Sequence, residues 1–212
     1  MTLAQGTDQL ETARLLLRRI TLDDLPFFTR IHALPEVARG LWPGGLPRSP
    51  GQTEAYIRST LESYEQHALG YLAVLRKADG ALIGRCGLTE LAVESAPSEY
   101  GIRKGWFGDA QVPCGVARTF ECELGYTFDP AAWGNGYANE AACCVRDYAR
   151  DVLQLSYAVS AILPSNARSQ RVAERLGLCS DGQMEAAGMT FDRYIWQLAI
   201  AGTARPQPAS TK

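Results

Sequence analysis

Histidine is nearly absent from this 212-residue chain: His32 and His67 stand far apart, with no cluster of Asp, Glu or Cys beside either. Each therefore reads as a surface or interface histidine, and no metal site is expected. No stretch approaches the roughly 20 apolar residues a membrane helix needs, and the N-terminus lacks a basic run followed by an apolar core. Neither a span nor a secretory leader is expected, and the protein reads as cytoplasmic. Charge of one sign is also missing: a formal net charge of -2 gives no general pull toward nucleic acid or an anionic membrane. The six cysteines form no Cys-x-x-Cys pair and fall mostly inside apolar strand or helix patterns, which argues against zinc and against a secreted disulfide framework. Small buried thiols are the expectation, with Cys114 in a loop as the exception.

What is present is enough for one sizeable core: 46% of residues are hydrophobic and 21% charged. A single domain over residues 1–200 is expected, with a loose tail, 201–212, that carries two prolines and no apolar periodicity. Hydrophobic periodicity predicts a strand over 12–20, an amphipathic helix near 22–34 and, after the breaker-rich Gly40-Leu41-Trp42-Pro43-Gly44-Gly45, a second helix over 53–68. A hairpin of 71–76 and 81–89 around Asp79-Gly80 follows. Strand 156–163, a helix over 166–176 ended by Gly177, and strands near 182–189 and 191–200 complete the order.

One segment has a spacing that implies a ligand. Cys122, Leu124, Tyr126 and Phe128 alternate as in a half-buried strand, and Ala138, Ala141, Ala142, Val145, Tyr148, Ala149 and Val152 recur at helical spacing. Between them lies Asp129-Pro130-Ala131-Ala132-Trp133-Gly134-Asn135-Gly136-Tyr137. Strand, glycine turn and helix aim several free backbone N–H groups at one point, and the helix dipole adds positive potential, so a phosphate is the natural ligand. The same turn also serves simply to carry a strand into a helix. The third glycine of a dinucleotide fingerprint and the lysine of a P-loop are both missing.

From about Leu10 to Leu198 the chain resembles the GNAT superfamily of acetyl-CoA-dependent N-acetyltransferases, in the branch that contains the ribosomal-protein N-terminal acetyltransferases. The resemblance rests on Glu11-Thr12-Ala13-Arg14-Leu15-Leu16-Leu17-Arg18, on Thr21-Leu22-Asp23-Asp24-Leu25, and on Leu82-Ile83-Gly84-Arg85-Cys86-Gly87. Glu123-Leu124-Gly125-Tyr126, then Trp133-Gly134-Asn135-Gly136-Tyr137-Ala138, fits the family's pyrophosphate loop, with Trp133 at the Gln/Arg position. Pro164-Ser165-Asn166-Ala167-Arg168-Ser169 and Leu176-Gly177-Leu178 resemble the helix after the fifth strand.

The resemblance implies an α/β fold, a mixed, mostly antiparallel twisted sheet flanked by helices, with acetyl-CoA as co-substrate in the cleft between the fourth and fifth strands, here 122–128 and 156–163. It implies cofactor contacts at Tyr126, Phe128, Trp133, Gly134, Asn135, Gly136, Tyr137, Ala138 and Asn166, and direct acetyl transfer to a primary amine. The favoured acceptor is a protein N-terminal α-amine; a small amine or antibiotic, or a catalytically silent acyl-CoA sensor, are the alternatives. Attack on a thioester needs a neutral amine, and a terminal amine titrates near 7.7–8.0 against about 10.4 for lysine, so it asks less of a base. Glu123 is placed to take the proton, directly or through water, with a structural cross-sheet carboxylate as its other reading and Glu121 as the fallback. The tyrosine that many relatives carry seven residues after the helix-start asparagine is Ala173 here. Ser169 stands in as proton donor to the thiolate or is an ordinary capping serine, and Asn166 holds the cofactor's amide arm or caps its own helix.

Residues 90–121 fit least well. Tyr100, Arg103, Lys104, Trp106 and Phe107 lie there among Gly101, Gly105 and Gly108. They read either as an extended hairpin whose aromatics cover a neighbouring strand or a second copy of the chain in a homodimer, or as a lid over the acceptor amine.

Overall fold

Alternating apolar residues set the strands, and three-to-four spacing the helices, of a computed structural model that describes residues 9–41, 43–67, 69–95, 102–107 and 111–198. The tail at 201–212, with Tyr100, Gly101 and Gly108, lies outside the described residues. Among the described residues nine strands form one sheet: β1 (Gln9–Glu11), β2 (Leu15–Arg19), β3 (Gly70–Arg76), β4 (Ala81–Glu94), β5 (Arg103–Trp106), β6 (Arg118–Phe128), β7 (Tyr157–Ile162), β8 (Cys179–Ala186) and β9 (Met189–Gln197). The helices are α1 (Leu25–His32), α2 (Pro35–Ala38), α3 (Pro50–His67), α4 (Tyr137–Asp151) and α5 (Ala167–Arg175). All strand pairs are antiparallel except β5–β8 and β6–β7. This is the mixed α/β architecture expected from the sequence.

Three cores hold the layers together. The largest packs α4 (Ala141, Ala142, Val145, Ala149) and α5 (Ala173) against Leu15, Leu17, Cys86, Leu88, Leu124 and Phe128 on one face of the sheet. On the other face, α1 and α3 contribute Phe28, Ile31 and Ile57 to a second cluster with Ile20 and Ala73. A third cluster joins Leu91, Val93, Val159, Met184 and Phe191. It belongs to strands that close on themselves, because the pairings β4–β5–β8–β9–β7–β6–β4 form a ring.

The strand expected over 12–20 is interrupted. Thr12 and Arg14 leave the ladder to bond Glu140 on α4, so only Leu15–Arg19 pairs with β3. The helix over 22–34 opens as a short 3-10 turn at Leu22–Asp24, and α3 starts at Pro50 rather than 53. Ser49 and Gln52 explain that earlier start: Gln52 N–H donates to Ser49 Oγ and Ser49 N–H to Gln52 Oε1, a reciprocal cap with proline at the first helical position.

Within 90–121 the described residues form an extended hairpin. β4 runs on to Glu94 and pairs continuously with β6 back to Arg118, while β5 adds beside Ala92 and Val93. Phe107 stacks edge-on against Phe191 of β9 at 5.6 Å, so an aromatic of this segment does cover a neighbouring strand. Two other expectations are corrected. His32 is fully buried between Phe28 and Tyr56, because it shares the inward face of α1 with Phe28 and Ile31; burial pushes its pKa down to about 3. Of the six cysteines only Cys86 is buried, whereas Cys179 joins Cys114 in being exposed and Cys122, Cys143 and Cys144 are half-buried.

Candidate active site

The cleft is created where β6 and β7 part. Their ladder holds a single register pair, Glu123 with Val159. Two side chains brace the fork: Ser160 Oγ donates to the Leu124 carbonyl at 2.8 Å, and the Ala161 N–H donates to the Glu123 carboxylate. Beyond that point β6 runs on to Phe128 without a β7 partner, which leaves one strand edge facing the gap.

At the end of that edge the chain turns into α4. Gly134 and Gly136 both have positive φ, 79° and 78°. An added Cβ at Gly134 would meet nothing within 4 Å, so backbone conformation, not crowding, requires glycine there. Gly136 occupies the N-cap position with no side-chain cap, and Glu140 N–H is bonded to its carbonyl at 3.1 Å. The amides of Tyr137, Ala138 and Asn139 therefore project from the helix N-terminus, the donor set that a pyrophosphate needs. Asn135 shapes the turn by donating to the Ala132 and Trp133 carbonyls.

Arg14 guards the outer side of this turn. It donates to the Asn135 carbonyl at 3.1 Å, pairs with Glu140 and lies 4.8 Å from the Tyr137 ring. Burial works to raise the Glu140 pKa, but hydrogen bonds from Thr12 and Arg14 outweigh it and hold the carboxylate below its usual range. The negative charge nearest the amides is thereby matched by a cation.

The remaining expected contacts are distributed unevenly. Trp133 anchors the turn through an Nε1–H bond to the Phe128 carbonyl at 2.9 Å, and its ring lies 4.2 Å from the Arg168 guanidinium. The Phe128 side chain itself is buried in the large core, and Ala138 packs against that core. Asn166 caps α5 by accepting Ser169 N–H, and its amide donates to the Gly40 carbonyl at 3.3 Å, tying α5 to the loop after α2. Tyr126 reaches across the gap to α5: its hydroxyl donates to the Ser169 carbonyl at 3.4 Å and hydrogen-bonds the Ser169 side chain. Burial pushes that phenol up to about 12. Ala173, at the usual tyrosine position, is buried in the core.

On the opposite face of the sheet, Glu123 is buried at 6% exposure. Thr89, its register partner on β4, donates to Glu123 Oε2 at 3.3 Å. Burial raises the Glu123 pKa, and the field of Arg85 with the bonds from Ala161 and Thr89 only partly oppose it. Glu121 has a different environment. Arg193 of β9 donates to both of its oxygens, at 2.8 and 2.9 Å, and also pairs with Asp181. The pattern of the sequence pointed to Glu123 and to the turn. It carried no signal for Thr89, Ser160 or Arg85, whose roles arise from cross-strand register, nor for Arg14, which is 126 residues from Glu140 in sequence.

Comparison with known proteins identifies the fold and the family. The YkkB protein of Bacillus subtilis is 27% identical over 127 residues, which span 60% of each chain, so the matched part is about three fifths of that relative's length. An acetyltransferase from Agrobacterium tumefaciens superposes with a TM-score of 0.67 at 26% identity, covering 93% of this chain and 98% of that one. The ribosomal-protein-S5-alanine acetyltransferase of Vibrio fischeri shares the fold, with a TM-score of 0.60 at 15% identity over 90% of this chain and 96% of that one. Residues 14–178 match the acetyltransferase (GNAT) domain family, enclosing both the glycine turn and the fork, and the chain belongs to that family.

Proposed function

We propose that the protein transfers the acetyl group of acetyl-CoA directly to a primary amine, and that its favoured acceptor is a protein N-terminal α-amine. The observation that carries this reading is the fork at Glu123: one strand leads from a buried carboxylate of raised pKa to a helix N-terminus with three outward amides. The residues fit the co-substrate. The amides of Tyr137, Ala138 and Asn139 hold the pyrophosphate, the unpaired β6 edge offers backbone partners to the amide arm, and the fork directs the thioester toward Glu123. Acetyl-CoA supplies an activated acyl carbon and a thiolate leaving group.

Glu123 accepts a proton from the acceptor ammonium, directly or through water. The neutral nitrogen attacks the thioester carbonyl, a C–N bond forms, the C–S bond breaks as the thiolate departs, and the nitrogen's second proton leaves to water or to the departing thiolate, which gives the neutral amide and CoA thiol. The hydroxyls of Tyr126 and Ser169, paired at the α5 end of the gap, are the donors available to that thiolate, in place of the tyrosine replaced by Ala173. A raised carboxylate pKa suits a base that must work near neutral pH.

Support for an N-terminal acceptor comes from the Vibrio fischeri neighbour and from the lower basicity of α-amines. Ala173 favours one other reading, a silent module that binds acyl-CoA as a sensor. The test is acetyl-CoA turnover against peptide N-termini, polyamines and aminoglycosides. Preferred turnover of peptides supports the proposal, preferred turnover of either small-amine class moves the acceptor, and CoA binding without transfer to any of them leaves the sensor.

A further inference from the structure

Beside Glu123 lies a cation that the acetyl-transfer chemistry does not use. Arg85 of β4 is 3% exposed, and its Nε and Nη1 atoms have no hydrogen-bond partner among the described residues. Its guanidinium is held over the Tyr71 ring at 3.6 Å, with the Tyr56 ring 5.2 Å away. Arg48 lies 5.1 Å from that same Tyr56 ring, so two cations flank one tyrosine. The carboxylate whose field reaches Arg85 is Glu123. Thr127, the register partner of Arg85, adds a further buried hydroxyl without a partner on the same face.

A buried guanidinium with unpaired N–H groups is costly, because each lost bond to water has to be replaced by a protein or ligand acceptor. Arg193 meets part of this requirement through Nη2, which donates to both Glu121 oxygens, although its Nε, like that of Arg85, has no partner among the described residues. Arg85 bonds the Tyr71 hydroxyl and has no carboxylate on its guanidinium among the described residues. Its position relative to Glu123 is informative: the Arg85–Thr127 and Thr89–Glu123 pairs are four residues apart on β4, about 13 Å along the strand. The guanidinium leans back over this interval, because Tyr71, which it covers, is the register partner of Gly87. The Tyr71 hydroxyl reaches the same interval on β6, where a Cβ at Gly125 would come within 2.5 Å of it. An amine presented to Glu123 therefore has a donor-rich, positively charged surround only a few bonds away.

We infer that the acceptor carries a carboxylate a few bonds from its reacting amine, and that Arg85 is the residue that recognises it. The inference rests on the acetyltransferase reading above and narrows its acceptor. The amine sits at Glu123 and the carboxylate accepts from the Arg85 guanidinium, which leans toward it, so the unpartnered Arg85 N–H groups gain an acceptor when the acceptor amine binds. Polyamines and aminoglycosides, which bring only further cations, are disfavoured by the same field. The shared chemistry has two sources, the α-carboxylate of a free amino acid and the acidic side chain of a peptide's first residue.

The experiment compares acceptors that differ in one charge: glutamate against its α-amide, and a short peptide beginning with Glu against one beginning with Gln. The wild-type protein is expected to favour the charged member of at least one pair by about 10- to 100-fold in kcat/KM, mainly through KM. The pair that shows the preference identifies the source. In Arg85→Gln that ratio collapses toward one, whatever happens to the rate common to both members, and Arg85→Lys restores part of it. The inference is overturned if wild-type protein treats both pairs alike, or if Arg85→Gln slows both members equally and keeps their ratio. Turnover of neutral acceptors without a charge preference overturns this inference alone, whereas no transfer to any amine overturns the acetyltransferase reading with it.

Discussion

The Glu123 carboxylate accepts the backbone N–H of Ala161 at the point where β6 and β7 part. One side chain thus braces the sheet at the fork, a structural role that does not exclude the proposed chemical one. Glu123→Gln separates them, since glutamine still accepts from Ala161 but cannot take a proton. Turnover is expected to fall about 100-fold or more with CoA affinity retained, and to recover partly as pH rises and more acceptor is already neutral. The measurement is the pH profile of turnover at saturating acetyl-CoA, and a variant that matches the parent throughout rules Glu123 out as base.

Stability should move the other way. A carboxylate whose pKa is raised on folding favours its neutral form, so its stabilising contribution is present at low pH and lost as pH rises through the raised value. Glu123→Gln keeps the neutral form at all pH. It is expected to melt above the parent at pH 7–8 and to converge with it below about 4.3, the ordinary glutamate value. Paired melting curves at the two ends of that range check the sign.

The glycine turn makes a prediction that needs no acceptor. CoA at 100 times Kd should stabilise the fold by about 2.7 kcal/mol, with no metal added. Gly136→Val forces a β-branched residue into a left-handed conformation at an expected cost of about 1–3 kcal/mol to the apo protein. The added Cβ would lie 3.6 Å from Arg14 Nη2, so no clash accompanies the strain. Thermal shift against CoA should be largely lost in this variant, and a folded Gly136→Val protein with an undiminished shift would remove the turn as the phosphate cradle.

Much of this architecture was legible because its signals are local. The alternation through Leu124, Tyr126 and Phe128, the Asp79-Gly80 turn and the glycines before α4 each report one element, and each element is there. The misses have physical causes of two kinds. α3 begins at Pro50, ahead of its apolar periodicity, because Ser49 and Gln52 form a reciprocal cap whose signal is polar rather than hydrophobic. β5, by contrast, is four residues that include Gly105, stabilised by β4 and β8 from distant parts of the chain; nothing in its own sequence specifies a strand. The site divides in the same way. Backbone geometry at the turn follows from glycine spacing, whereas the environment of Glu123 depends on which residues register places across from it.

Tyr126 and Ser169 offer two hydroxyls for one role. Tyr126 spans the gap from strand to helix, while the Ser169 backbone is engaged at both ends, its N–H by Asn166 and its carbonyl by Tyr126. Tyr126→Phe is expected to lower kcat about 100-fold with acetyl-CoA and less with an acyl donor whose leaving thiol is more acidic, because a better leaving group needs less protonation. Ser169→Ala should cost only a few fold. The dependence of kcat on leaving-group acidity assigns the donor: if Ser169→Ala shows the steeper dependence, the roles are reversed.

Glu121 tests whether a second buried carboxylate two residues from Glu123 shares its chemistry. Both of its oxygens accept from Arg193, and the two side chains are each 6% exposed, so neither charge has solvent to fall back on. Breaking such a pair from one side leaves the buried guanidinium with only the half-exposed Asp181, so the loss is expected to stay below the roughly 3–5 kcal/mol of an unpartnered buried charge. Glu121→Gln is therefore expected to lower the melting temperature, with a smaller loss when Arg193 is replaced by methionine in the same chain, since the double variant removes both charges. In protein that remains folded at the assay temperature, the pH dependence of turnover should keep the parent's shape. A shifted pH profile in Glu121→Gln, with Glu123→Gln leaving the profile intact, would transfer the role of base from Glu123 to Glu121.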